Sequence, residues 1–250
     1  MSHAPVVLVT GGSRGIGAAA SRLAARQGWR VAVNYASNRA AADAVVAAIA
    51  ASGGEAIAIE GDVGKAGDIV AMFAAVDRHF GRLDGLVNNA GIVDYPQRID
   101  EMSVERIERM LRVNVTGSLL CAAEAVRRMS SRHGGRGGAI VNISSMAAVL
   151  GSPAQYVDYA ASKAAIDTFT VGLAREVAAE GIRVNAVRPG IIETDIHASG
   201  GLPDRPRDMA PSIPMQRTGS AEEVADAILY LLSPSASYIT GAILNVSGGR

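Results

Sequence analysis

A chain of 250 residues, 49% hydrophobic and with 24 Lys+Arg against 24 Asp+Glu, is long enough for one large α/β domain with a sizeable core. The even charge, without runs of one sign, excludes the electrostatic footprint of a nucleic-acid binder or a polybasic membrane binder, so the expected partner is a small molecule. A single cysteine, Cys121, excludes an internal disulfide, gives no metal-ligand cluster and reads as a small buried hydrophobe, which fits a reducing compartment. No basic leader precedes the first apolar run and no uninterrupted apolar stretch reaches the length of a membrane span, so a soluble cytoplasmic protein is expected.

Along the chain, short β-branched runs alternate with longer alanine-rich amphipathic stretches. A strand over 6–10 leads to a helix from about Ile16, a strand over 31–35 to a helix from about Arg39, and a strand over 56–60 to a helix from about Asp68. The alternation continues with a strand over 86–88, a long helical region over 104–131, a strand over 139–144, a helix over 155–180, a strand over 183–188, a helix over 222–232 and a strand over 242–246. Seven strands with intervening helices predict a Rossmann-type, doubly wound α/β fold: a mostly parallel sheet, covered on both faces, with ligands at the carboxyl ends of its strands. The whole of 1–250 is expected to form one dinucleotide-binding and catalytic domain. Two segments interrupt the pattern. Residues 133–138, His-Gly-Gly-Arg-Gly-Gly, read as a flexible connection. Residues 191–217 carry four prolines without strong periodicity, yet follow a strand whose carboxyl end should face the ligand, and a substrate lid is expected there.

Between strand one and helix one lies Thr10-Gly-Gly-Ser-Arg-Gly-Ile-Gly17. In that context glycines let the backbone come close and a helix N-terminus holds a pyrophosphate. Tyr159 and Lys163 stand four residues apart in a helical region, hence on one face, which brings an ammonium beside a phenol. A fixed positive charge favours the phenolate and is expected to lower the phenol pKa, fitting Tyr159 for general acid/base work. Tyr156 is a rival tyrosine, but no lysine follows it at that spacing. Of Ser144 and Ser145, strand alternation allows only one to face the substrate.

The glycine turn, together with Asn88-Asn-Ala-Gly91, Asn114, Asn142-Ile-Ser-Ser145, Tyr159-x3-Lys163 and Pro189-Gly190, resembles the short-chain dehydrogenase/reductase family over essentially the whole chain. The branches it resembles most are the 3-oxoacyl-carrier-protein reductases and the sugar dehydrogenases. The resemblance implies Tyr159 as catalytic acid/base and Lys163 as the group that lowers its pKa and binds the nicotinamide ribose. It implies Ser145 as the holder of the substrate oxygen and Asn114 as support for a water-mediated proton relay. It further implies that Gly11, Ser13, Arg14, Gly15, Ile16 and Gly17 hold the cofactor phosphates, Asp62 and Val63 the adenine, Asn89, Ala90 and Gly91 its ribose side, and Pro189, Gly190, Ile192 and Thr194 the nicotinamide end. Hydride reduction of a carbonyl requires a proton on the oxygen and a donor that stabilises charge there, which Tyr159 and Ser145 can supply. The spacing from Ser145 to Tyr159 is one residue longer than in many members, which lengthens the loop through Gly151-Ser-Pro153.

An acid near the end of strand two would favour NAD by repelling a 2′-phosphate. That position holds Tyr35, followed by Ala36 and Ser37, while Arg14, Asn38 and Arg39 offer donors suited to a phosphate. NADP(H) is therefore the expected cofactor, with NAD(H) as the second candidate, and a carbonyl or alcohol is the expected substrate. A nucleotide-sugar epimerase or dehydratase shares the Tyr-x3-Lys pair but would need a larger substrate domain after Lys163. A non-catalytic dinucleotide sensor is the other alternative, weakened by the presence of Tyr159, Lys163 and Ser145 together. The segments 222–232 and 242–246 resemble the family's subunit contacts and imply a homotetramer.

Overall fold

The computed structural model describes residues 4–250. Its seven strands are β1 (Val6–Val9), β2 (Arg30–Tyr35), β3 (Ala56–Glu60), β4 (Gly85–Asn88), β5 (Gly138–Ile143), β6 (Ile182–Pro189) and β7 (Ile243–Val246). They form one sheet in the order β3-β2-β1-β4-β5-β6-β7, and every neighbouring pair is parallel. The order reverses between β1 and β4, where the chain leaves one half of the sheet for the other and a crevice opens at the carboxyl ends.

The helices are α1 (Gly15–Arg26), α2 (Arg39–Ala51), α3 (Ala66–Phe80), α4 (Val104–Leu111), α5 (Ser118–Met129), α6 (Ala147–Leu150), α7 (Val157–Val177), α8 (Ile196–Ser199), α9 (Arg205–Met209) and α10 (Ala221–Leu232). Strand alternation divides the core between the two faces of the sheet. Val7 and Val9 of β1 pack with residues of α1, α2 and α10 on one side. Val6 and Leu8 pack with Met72 and Phe73 of α3, and with Cys121 and Ala125 of α5, on the other. The alanines Ala18, Ala19, Ala20, Ala24 and Ala25 form the buried stripe of α1, so this helix can approach the sheet closely. Cys121 is fully buried, and burial pushes its thiol up to about 12, leaving it a packing residue.

Two local departures from the expected elements bear on the site. The region over 104–131 is not one helix: residues 112–117 form a π-helical turn between α4 and α5, and fully buried Asn114 sits inside it. Such a turn widens the helix by one residue and re-aims its side chains. The segment over 191–217 is also more regular than its prolines suggest, folding into α8, α9 and a 3₁₀ turn over Ala210–Ser212. It is fastened at several points, with the Tyr156 hydroxyl donating to the Gly200 carbonyl (3.3 Å) and Ile213 buried.

The long helix α7 buries a stripe that is polar at its start (Asp158, Ser162, Lys163, Asp167) and apolar at its end (Ala174, Val177). Buried polar groups need partners, and the first of these has a complete set. Asp158 receives two hydrogen bonds from the Arg106 guanidinium, from Nε at 2.9 Å and from Nη2 at 3.3 Å. Arg106 also donates to the Tyr95 carbonyl (2.7 Å) and to Gln97 Oε1 (3.0 Å), while Asp158 Oδ1 accepts the Tyr159 N–H at 2.9 Å. This ion pair ties α4 and the loop after β4 to the first turn of α7. Its side chains are only 8% and 2% exposed, so removing one partner strands a buried charge. Arg106→Ala is expected to destabilise the fold by about 3–5 kcal/mol, read as a lowered urea midpoint.

Candidate active site

The glycine turn leaves β1 and enters α1 beneath the end of β4. Gly11 and Gly15 take positive φ values of 59° and 51°, which glycine adopts without strain. A Cβ on Gly17 would lie 2.3 Å from the Gly11 carbonyl oxygen and 2.5 Å from Asn89 Nδ2, so only glycine allows this packing. Asn89 donates its amide to the Thr10 and Gly11 carbonyls (2.9 and 3.1 Å), and Asn34 Oδ1 accepts the Gly11 N–H at 3.1 Å. The turn is thus fixed from both neighbouring strands. Arg14 occupies the N-cap of α1 without a side-chain cap, and no acid lies in the first turn. No side chain caps the first amides of the helix, a setting that suits a diphosphate. The residues present therefore fit a dinucleotide cofactor.

At the other side of the crevice, α7 delivers Tyr159 and Lys163. Lys163 is 5% exposed, donates from Nζ to the Ile143 carbonyl at 2.8 Å, and lies 5.7 Å from the centre of the Tyr159 ring. A Cβ on Gly91 would stand 3.4 Å from both Lys163 Nζ and Asn114 Oδ1, so this glycine lets the two groups close over the end of β4. Asn114 is locked by the Ile92 N–H on its Oδ1 (2.8 Å) and by its own donation to the Ile92 carbonyl (2.9 Å) and Ser162 Oγ (3.1 Å). Ser144 is buried and donates to the Lys163 carbonyl at 3.2 Å, and Ser145 is half-buried; both line the cleft just past the end of β5 at Ile143, so strand alternation does not choose between them.

The cleft encloses about 380 Å³ and is lined by Ile16, Asn89, Gly91, Ser145, Tyr159, Lys163, Pro189, Gly190, Ile192 and Thr194 among the residues singled out from the sequence. Gly11, Gly15 and Gly17 lie behind it, with Thr194 Cγ2 3.2 Å from where a Gly15 Cβ would be. The chain matches the family model described as enoyl-(acyl carrier protein) reductase over residues 11–250. The chain belongs to the short-chain dehydrogenase/reductase family. Among its relatives, the uncharacterized oxidoreductase YgfF of Escherichia coli (strain K12) is 55% identical over 98% of this chain and 99% of that protein. A 3-oxoacyl-[acyl-carrier-protein] reductase of Synechocystis is 42% identical over 98% and 96%. Among solved structures, a short-chain dehydrogenase from Burkholderia cenocepacia J2315 in complex with NADP superposes with a TM-score of 0.89 at 37% identity, covering 98% of this chain and 97% of that one. A short-chain type dehydrogenase/reductase from Mycobacterium marinum gives 0.92 at 36% identity, covering 98% and 94%. The protein is an oxidoreductase of this family, with the doubly wound parallel sheet that the alternating pattern predicts.

Other residues singled out from the sequence already have local partners. Asn38 Oδ1 caps α2 by accepting the Ala41 N–H, and exposed Arg39 faces Asp43 at 3.3 Å. Asp62 Oδ1 accepts the Gly64 N–H at 2.8 Å, and Val63 is buried against the π-helical turn at Gly117. The Ala90 N–H donates to Thr10 Oγ1. Ser13 is half-buried and Arg14 exposed.

The electrostatics correct one expectation. Lys163 does not bring the Tyr159 phenol below its ordinary range in this structure; burial is the largest influence and raises it, while the Ser145 hydroxyl and the Arg205 charge pull it down by less. The ammonium is directed to the Ile143 carbonyl, and burial lowers its own pKa to about 8. Asp167, one turn further along α7, opposes that shift; its Oδ2 accepts from Arg188 Nε at 2.9 Å and its buried Oδ1 has no partner. Sequence reasoning passed over Asn34, Asp158, Asp167 and Arg205, of which only Asp167 carried a simple signal, its place four residues after Lys163.

Removing the Asp167 charge disfavours the neighbouring ammonium, so Asp167→Asn should move the Lys163 pKa below its value of about 8. The chain has two lysines, Lys65 and Lys163, and NMR of ¹³Cε-labelled lysine can follow them separately. The Lys163 resonance should titrate at lower pH in the variant, with Lys65 unchanged.

Proposed function

We propose that the protein is an NADP(H)-dependent oxidoreductase that interconverts a carbonyl compound and a secondary alcohol. The observation that carries this reading is the convergence of Tyr159, Ser145 and Lys163 on the same cleft as Ile16, Asn89 and Gly91 of the cofactor side. Bound nicotinamide would supply or accept the hydride. In the reductive direction the Tyr159 phenol, kept protonated by its burial, gives its proton to the carbonyl oxygen as charge develops there. Ser145 donates a hydrogen bond to the same oxygen. The Lys163 ammonium stabilises the phenolate that Tyr159 becomes, and its hydrogen bond to Ile143 fixes its position. In this reading Asn114 holds the loop at Ile92 and, through Ser162, the turn of α7 that carries Tyr159; the Ser162 hydroxyl donates to the Tyr159 carbonyl at 2.7 Å.

For the cofactor, the absence of an acid at Tyr35-Ala36-Ser37 supports NADP(H) over NAD(H), and exposed Arg14 is the cation best disposed toward a 2′-phosphate, since Arg39 faces Asp43. A solved relative holding NADP supports the same choice. Asp62 and Val63 are assigned to the adenine, and Pro189, Gly190, Ile192 and Thr194 to the nicotinamide. The segment over 191–217 serves as the substrate lid. Self-association as a homotetramer is supported by the exposed apolar side chains Tyr230, Tyr238 and Leu244 on and beside α10 and β7.

The reading is tested by following NADPH oxidation against 3-ketoacyl thioesters, diketones, keto-sugars and aromatic ketones. Tyr159→Phe should lower kcat by on the order of a hundredfold or more while NADPH still binds, because the change removes a proton donor and few cofactor contacts. Full turnover by this variant would refute the assignment. Arg14→Ala should raise Kd for NADPH on the order of tenfold and leave that for NADH nearly unchanged, measured by fluorescence titration.

A further inference from the structure

Tyr156 is the tyrosine that the lysine spacing passes over, and the proton transfer gives it no role. It is nonetheless almost wholly buried, 4% exposed, in the wall of the cleft at the start of α7. A buried phenol needs a partner for its hydroxyl, and here the acceptor is the Gly200 carbonyl (3.3 Å), which belongs to the segment over 191–217. The ring carries a second tie to the same segment, the Arg205 guanidinium 5.1 Å from its centre.

This segment is anchored at its base and lightly held at its tip. At the base, the Gly219 N–H donates to the Ile191 carbonyl and the Glu193 N–H to the Gly219 carbonyl, both at 3.0 Å, and Ile213 is buried. Between residues 194–212 and the chain outside the segment, the described residues make one hydrogen bond, the one from Tyr156 to Gly200. The helices there, α8 and α9, are four and five residues long, too short to keep their shape away from the wall they pack on. Yet Ile196, His197 and Met209 of this tip line the cleft, so its seating decides whether a substrate is enclosed.

The tip is seated on the same piece of structure that delivers Tyr159. A Cβ on Gly200 would lie 2.9 Å from Val93 Cγ1, and one on Gly201 2.3 Å from Tyr95 Cδ1, so the two glycines let the backbone lie close on the loop after β4. That loop is tied to the start of α7: Arg106 joins the Tyr95 carbonyl to the Asp158 carboxylate, and the Gln97 N–H donates to the Gln155 carbonyl at 3.0 Å. We propose that Tyr156 is the latch of the lid, a positioning residue whose hydroxyl, through Gly200, holds the segment closed over a substrate that Tyr159, three residues further on, addresses. The proposal rests on the reductase reading.

Hydrogen exchange on the protein at saturating NADPH reads the latch without turnover. In Tyr156→Phe the ring stays and the hydroxyl goes, so the amides of Gly200, Gly201 and Leu202, bonded within the segment, should exchange about fivefold faster, while those of β1 and β4 keep their wild-type rates. Thermal melts check that the variant folds. With acetoacetyl thioester, diacetyl and acetophenone as substrates, KM should rise by up to the same factor with kcat held, since the cleft has to close before the substrate is retained. A role of Tyr156 in placing Tyr159 alone would instead lower kcat and leave the exchange of the segment as in the wild type; that result, or unchanged exchange by itself, overturns the proposal. Faster exchange in a protein that turns over none of the carbonyl panel keeps the latch and removes the reductase reading; turnover with unchanged exchange does the reverse.

Discussion

Lys163 must keep a charge in a place that penalises charge. Its ammonium is almost wholly buried at the end of β5, and burial lowers its pKa to about 8. What holds it is a short set of partners: the Ile143 carbonyl as acceptor and the Asp167 carboxylate one turn away, itself fixed by Arg188. Much of the surrounding architecture serves that placement. The small residue at Gly91 leaves room for the ammonium beside Asn114, and the π-helical turn aims Asn114 at the loop after β4. The buried chain from Asn88 through Asn142 to Thr170 fastens β4 and β5 to α7. A lysine poised this way changes charge in a range that an ordinary surface lysine does not reach.

The same crevice asks two opposite things of its walls. On the β1 side the backbone comes so close that glycine is required at Gly17, and a helix N-terminus without a side-chain cap favours a diphosphate. Toward the segment over 191–217 the wall is largely apolar, with Met146, Leu150, Ile196 and Met209. Between them stand a phenol held protonated by burial and a serine hydroxyl.

Much of this was legible in the sequence, because the features that set it are local. Alternation of β-branched runs with alanine-rich helices gives the doubly wound sheet directly, and the glycine turn and the Tyr159–Lys163 spacing sit where strand ends meet helix starts. The less legible parts depend on contacts between distant segments. The break in the helical region over 104–131 carries no proline, and its one glycine, Gly117, reads as an ordinary helix glycine until it packs on Val63; the π-helical turn is stabilised by what Asn114 finds on the loop at Ile92. Arg106 and Asp158 are 52 residues apart and look like surface charges until α4 and α7 pack together. The direction of the phenol pKa is illegible for a related reason: helical spacing gives the neighbour but not the burial, and burial is the larger effect at Tyr159.

In the proposed mechanism, proton transfer from Tyr159 depends on a charged Lys163 beside it. The direct measurement is the pH dependence of kcat/KM for carbonyl reduction at saturating NADPH. If the Lys163 ammonium stabilises the departing phenolate, kcat/KM should fall once pH rises past about 8, where this lysine loses its proton, well before the phenol itself ionises. A profile that stays flat into the ordinary lysine range would contradict the claim.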